Sequence, residues 1–162
     1  MNTIDIIGEN YFGHWDKIRT ACRALVIRDG RMLLSYETKT GQWMLPGGGL
    51  ENGESETACC ARETEEETGL LVAPGECFLE IDEYYEDFKW VNRYFVCSVL
   101  GAGKMNLTEQ EKEVGMEPRW LPVEEIKAIF SRHADYAATD ETRRGIYLRE
   151  YTALRKWEAG RR

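Results

Sequence analysis

The sequence predicts an α/β fold, and three features carry that expectation. Runs rich in apolar, β-branched and aromatic residues at 19–28, 32–37, 77–85 and 90–100 read as strands. A capped helical stretch at 55–68 follows a glycine-rich turn. A second helical pattern, with Ile146, Tyr147, Tyr151, Leu154 and Trp157 at helical spacing, occupies about 140–158.

In chain order, residues 1–18 scatter Ile4, Ile6, Ile7, Tyr11, Phe12 and Trp15 among polar residues, which predicts a short strand or covering arm with Trp15 packed. The run TACRALVIR forms a strand, Asp29-Gly30 is a tight hairpin signal, and MLLSYE returns as its partner. Trp43 to Leu45 is a short apolar strand ended by Pro46, after which Gly47, Gly48 and Gly49 form a turn that approaches a ligand closely. Asn52-Gly53 is a second turn, Ser55 the helix N-cap, and Gly69 the left-handed residue that closes the helix. Leu70 to Val72 is strand-like and Pro74-Gly75 a turn. CFLEIDEYY and WVNRYFVCSVL then form a hairpin about the polar turn at 86–89. Residues 101–115 read as a polar loop, Arg119 to Leu121 as a strand, and Pro122 opens a helix through Phe130.

With 162 residues, 43% hydrophobic and 31% charged, the chain suits one soluble domain, residues 1–162. No stretch has the pattern of a signal peptide or membrane span, so a cytoplasmic protein without membrane contact is expected. Five cysteines without a CxxC pair read as small core or surface thiols rather than a disulfide framework. A net charge of −8 argues against a nucleic-acid polymer as partner, and makes an anionic small substrate depend on a cation for neutralisation.

The most improbable stretch is LPGGGLENGESETACCARETEEETGL, residues 45–70. On a helix, Glu63, Glu66 and Glu67 share one face, while Cys60, Ala61, Thr64 and Thr68 form the adjoining packing stripe. The carboxylates repel one another, and those in the last turn oppose the helix dipole, each at a cost of roughly 0.2–1 kcal/mol. A bound divalent cation reverses the sign of these terms.

Gly48, five residues, Glu54, seven residues, then Arg62-Glu63-Thr64-Glu65-Glu66-Glu67-Thr68-Gly69-Leu70 resembles the Nudix box of the Nudix (MutT-like) hydrolases. Every charged and glycine position of that pattern is present, and Thr64 stands where the family usually carries an aliphatic residue. The EPRWLPVEEI stretch is similar to the family's late strand and helix, so the resemblance runs from about Thr20 to Phe130.

The resemblance implies an α/β/α sandwich around a mixed β-sheet, and metal-dependent hydrolysis, with Mg2+ or Mn2+, of a nucleoside diphosphate linked to another moiety. Nucleoside triphosphates, nucleotide sugars, ADP-ribose and dinucleoside polyphosphates all remain open as substrates. Glu63, Glu66 and Glu67 would be metal ligands, joined by Glu54 and the Gly47 carbonyl, with Glu63 or Glu66 also orienting or deprotonating water. Arg62 would orient the glutamates rather than touch substrate. A further carboxylate would come from the loop holding Glu111, Glu113 and Glu117, of which Glu113 and Glu117 are the ones retained, and base contacts from the aromatics Tyr84, Tyr85, Phe88 and Trp90. A homodimer is compatible with the family. The rival reading is a nucleotide-binding sensor on the same fold, without turnover.

Overall fold

The computed structural model describes residues 2–161, and eight strands form one mixed sheet. Strands β1 (Asn2–Ile7), β6 (Leu70–Tyr85), β7 (Phe88–Ala102), β2 (Lys17–Arg28), β3 (Arg31–Glu37) and β4 (Gln42–Met44) follow in that spatial order. β5 (Gly47–Gly49) pairs with β2, and β8 (Met116–Pro122) with β3. β1 runs parallel to β6 and β2 parallel to β7, while the other pairings are antiparallel. The Asp29-Gly30 hairpin forms as its sequence demands, with φ of 54° and 75° at its two central residues.

Helices cover both faces, because successive residues of β2 point to opposite sides. Cys22, Ala24 and Val26 pack with Cys59 and Cys60 of helix α1 (Glu56–Thr68), together with Phe95 and Cys97 of β7. Leu25 faces the other way, into a core with Leu34, Leu79, Ile81 and Tyr94. That core is closed by Ile126 and Phe130 of α3 (Val123–Ser131) and by Tyr147, Ala153 and Leu154 of α4 (Glu141–Gly160). Burying each large aliphatic side chain contributes about 1.5–3 kcal/mol. The result is the expected α/β/α layering. No helix among the described residues is long and apolar enough to cross a membrane.

Several local expectations are corrected. Gly47 to Gly49 are not a free turn but strand β5, hydrogen-bonded to β2 with Gly48 opposite Cys22. Pro74-Gly75 does not turn the chain: β6 continues through it, and the irregularity is absorbed as register shifts between Pro74 and Cys77 and on to Leu79. The polar turn after β6 shortens to Glu86 and Asp87, with Glu86 at φ 51°. The loop at 101–115 contains a short helix, α2 (Glu109–Glu113), started by a capping box between Thr108 and Glu111. Trp15 is 42% exposed and lies beneath the Lys89 ammonium, 5.5 Å from its ring, rather than in the core.

Candidate active site

Helix α1 begins where Ser55 Oγ accepts from the Ala58 N–H, and ends where Gly69, at φ 74°, donates to the Glu65 carbonyl. Its packing face is polar in part, yet satisfied. Thr64 is fully buried, and its hydroxyl donates to the Cys60 carbonyl at 2.7 Å, so the unusual threonine docks without an unpaired group. The Cys60 and Cys97 sulfurs meet at 3.8 Å across this layer, and all five cysteines are free thiols. Ala61, expected on the packing stripe, is only half-buried.

The adjoining face turns its carboxylates toward the glycine strand. A Cβ at Gly48 would lie 2.5 Å from the Glu63 Oε2, so any side chain there would push the Glu63 carboxylate out of its place against the strand. Glu67 is 2% exposed, with Oε1 accepting from Ser35 Oγ at 2.9 Å and Oε2 from the Gly47 N–H at 3.3 Å. Among the described residues Glu67 has no ion pair. Burial, then the charge of Glu111, pushes its pKa well above the usual carboxylate range. Burial likewise raises Glu63, against the opposing pull of Arg62.

Arg62 lies among the acidic groups. Its Nε and Nη2 donate to the two Glu54 oxygens at 2.6 and 2.9 Å, Nη1 donates to Glu63 at 2.9 Å and Glu66 at 3.2 Å, and Nη2 also reaches the Gly49 carbonyl at 3.1 Å. The fork on Glu54 holds that carboxyl down at about 2. One planar cation thus sets the rotamers of three glutamates and ties them to β5.

The remaining expected residues divide. The charge of Glu111 raises both Glu67 and Glu63, while its carboxylate accepts from the Thr108 N–H at 2.9 Å; Glu113 is solvent-exposed and Glu117 is paired with Arg119. Tyr84 and Tyr85 point to opposite faces of β6: Tyr84 packs on Tyr11, while Tyr85 and Trp90 line a cleft of about 410 Å3 between the sheet and α4. Phe88 stacks on Trp90 with ring centres 4.5 Å apart.

The sequence reading missed a buried polar chain behind this cleft. Arg23 Nε donates to Asn92 Oδ1, Asn92 Nδ2 to Glu83, Arg149 Nη1 to Glu83 at 3.1 Å and Arg149 Nε to Glu150 at 3.1 Å. Glu150 also accepts from Tyr94 and from the Leu45 N–H. One signal was available: Glu150 lies three residues after Tyr147 and four before Leu154, a charge on an otherwise apolar stripe.

The family model for the NUDIX domain matches residues 17–141. The chain belongs to the Nudix family. A MutT-like protein of Streptomyces ambofaciens is 32% identical over 102 residues, covering 63% of this chain. The chain covers less than two thirds of the first curated relatives that it matches, 62% of this one and 29% of another. Diphosphoinositol polyphosphate phosphohydrolase 3-alpha of Mus musculus is 28% identical over 121 residues, covering 72% of this chain and 71% of that protein. A solved Nudix hydrolase from Nitrosomonas europaea shares the fold, with a TM-score of 0.65 at 20% identity over 90% of this Nudix chain and 92% of that one.

Whether a divalent ion suits this Nudix site is decided by its donors. They are hard carboxylate oxygens, the type that Mg2+ and Mn2+ take, and a desolvated Glu67 without an ion pair is the group such a cation would neutralise. Among the described residues no three acidic, cysteine or histidine side chains form a ready coordination cluster, since Arg62 spans Glu54, Glu63 and Glu66. The donor chemistry fits.

Proposed function

We propose that this Nudix chain is a metal-dependent pyrophosphohydrolase that cleaves a nucleoside diphosphate linked to another moiety. The observation that carries the reading is the fully buried Glu67 carboxylate, held by Ser35 and the Gly47 N–H, under the charge of Glu111 and lacking an ion-pair partner among the described residues. A buried charge without a cation is expensive, and a substrate-borne or resident divalent ion removes that cost.

Glu63, Glu66 and Glu67 would hold Mg2+ or Mn2+, which supplies phosphate charge neutralisation and a bound water of lowered pKa. Arg62 keeps Glu63 and Glu66 in fixed rotamers and, through its two-pronged grip, keeps Glu54 ionised beside them. Glu63, pressed against Gly48, is the better placed of the two water-orienting candidates. Glu111 is our choice for the further carboxylate, because its charge acts on Glu67 and Glu63 whereas Glu113 is exposed and Glu117 is paired with Arg119. Ser35 and the β5 backbone fix Glu67, so the acceptor oxygens need no rearrangement when phosphate arrives.

The test is hydrolysis of a panel of nucleoside triphosphates, nucleotide sugars, ADP-ribose, dinucleoside polyphosphates and a diphosphoinositol polyphosphate, with Mg2+ or Mn2+ supplied. Release of a nucleoside monophosphate from at least one nucleotide, abolished by a chelator, is expected. Inertness across the panel, with nucleotide still bound, would instead establish the sensor reading.

A further inference from the structure

All five cysteines lie in the layer between helix α1 and the sheet, and none of them is used by the phosphate chemistry. Cys22 on β2, Cys59 and Cys60 on α1 and Cys97 on β7 are buried, while Cys77 on β6 is half-buried beside them. The Cys60 and Cys97 sulfurs are 3.8 Å apart, in van der Waals contact across the gap from helix to strand. A disulfide joins its sulfurs at about 2.05 Å, so closing this pair takes a movement of less than about 2 Å. Of the four buried thiols only Cys97 shows any surface, at 6%, which is where a small oxidant first meets the pair. Cys59 is engaged elsewhere, with its thiol donating to the Gly48 carbonyl at 3.5 Å and its sulfur 4.0 Å from Arg62 Nη2.

The pair bears on the acidic site through α1. Cys60 precedes Arg62 by two residues and Glu63 by three, on the helix whose Glu63 carboxylate is packed against Gly48 without room for a Cβ between them. Arg62 holds Glu54, Glu63 and Glu66 through hydrogen bonds of 2.6, 2.9 and 3.2 Å, whose geometry tolerates little displacement. A close-packed layer transmits a shift of the helix to these contacts rather than absorbing it. In the reduced protein the contact with Cys97, then burial, raises the Cys60 pKa well above the usual thiol range, so the pair is inert to brief oxidant exposure.

We propose that Cys60 and Cys97 are a redox modification site, which a peroxide converts to a disulfide that draws α1 toward β7 and displaces Glu63 and Arg62. Resting on the pyrophosphohydrolase reading, the link slows turnover. The Cys97 sulfur attacks the peroxide O–O bond, giving a sulfenic acid and one water. The Cys60 sulfur then displaces the sulfenic hydroxyl, which leaves with the Cys60 proton as a second water. The two thiols lose two electrons and two protons, and hydrogen peroxide is reduced to water. A dithiol reductant reverses the link.

The test exposes the full-length Cys77→Ser protein, freed of its half-buried competing thiol, to sustained excess hydrogen peroxide, blocks the remaining thiols and maps the tryptic peptides by mass spectrometry. Residues 40–62 joined to residues 94–104, with loss of the two thiol hydrogens, are expected. The link should persist in Cys59→Ala and be absent from Cys60→Ala and Cys97→Ala. No link, or one through Cys22 or Cys59, overturns the proposal. In the linked protein the amide resonances of Gly48 and Glu63 should shift and turnover should fall tenfold or more, both restored by dithiothreitol. The same treatment of Cys97→Ala should change neither, and Cys60→Ala serves where that variant is too unstable to assay. Unmoved resonances, or unchanged turnover in an active protein, overturn the proposal. A link with shifted resonances in a protein that hydrolyses nothing keeps this inference and removes the hydrolase reading; turnover by a protein that never links does the reverse.

Discussion

Glu150→Gln probes the link between the C-terminal helix and the glycine strand. Glu150 is fully buried and accepts from three donors: Tyr94 Oη at 2.6 Å, the Leu45 N–H at 2.7 Å and Arg149 Nε at 3.1 Å. Glutamine keeps the shape but turns one acceptor into a donor and leaves the Arg149 charge with Glu83 alone. Breaking a buried pair in this way costs about 3–5 kcal/mol, and the surviving Glu83 contact places the loss near 3 kcal/mol. For a chain of this size that is a melting-temperature drop of roughly 6–12 °C. Urea unfolding at pH 7 measures it, with Glu158→Gln as control, because the partly exposed Lys127 to Glu158 pair should contribute less than about 1 kcal/mol. Burial tends to raise the Glu150 pKa, but the Arg149 and Arg23 guanidiniums outweigh it and hold it below the ordinary value. Its stabilisation is therefore present above the unfolded carboxylate pKa, about 4.3, and lost as pH falls through the folded one, so the two proteins should begin to converge in stability below about pH 4.3 and meet only below the lowered folded value. A Glu150→Gln protein within 1 kcal/mol of the parent at pH 7 would refute this account of the network.

Glu67→Gln should lower turnover by about two to three orders of magnitude, as loss of a ligand charge demands, while raising the melting temperature of the metal-free protein. The parent should gain about 2.7 kcal/mol at a Mg2+ concentration 100-fold above its dissociation constant, and the variant much less. Unchanged turnover would sink the metal assignment. Asp82 sits on β6 opposite Asp5 of β1, and burial followed by its neighbour Glu80 pushes its pKa up to about 6. A raised folded pKa means stability is greatest below the unfolded value near 3.9 and declines as pH rises to about 6. Asp82→Asn should remove that decline, stabilising the protein by on the order of 1–3 kcal/mol at pH 7.5 and not at all at pH 3. Parallel pH profiles for the two proteins would show that Lys89, 3.6 Å from Asp82, already compensates the charge.

Interactions that close within about four residues were legible from the chain itself. The Asp29-Gly30 hairpin, the Ser55 cap, the Gly69 stop, and the face shared by Glu63, Glu66 and Glu67 follow from local sterics and helical periodicity, and each forms at its expected place. Arg62 reached the glutamates for the same reason, since three of its four nearest carboxylates lie within eight residues on one turn and helix. Where a local signal competed with a distant partner, the partner prevailed. The glycines at 47–49 became a strand because β2 offered hydrogen bonds, and Pro74-Gly75 became a bulge because β7 continued alongside.

The order of residues thus determined the family box, the layered α/β class and the acidic helix face, all of which are encoded in spacing along one segment. Tertiary structure alone decided that Tyr85 lines the cleft between the sheet and α4 while Tyr84 packs on Tyr11, and that Glu83, Arg149 and Glu150 form a buried network behind that cleft. Those outcomes depend on segments tens of residues apart meeting across the sheet, where a side chain's role is set by the charges and the space that remain after the backbone has paired.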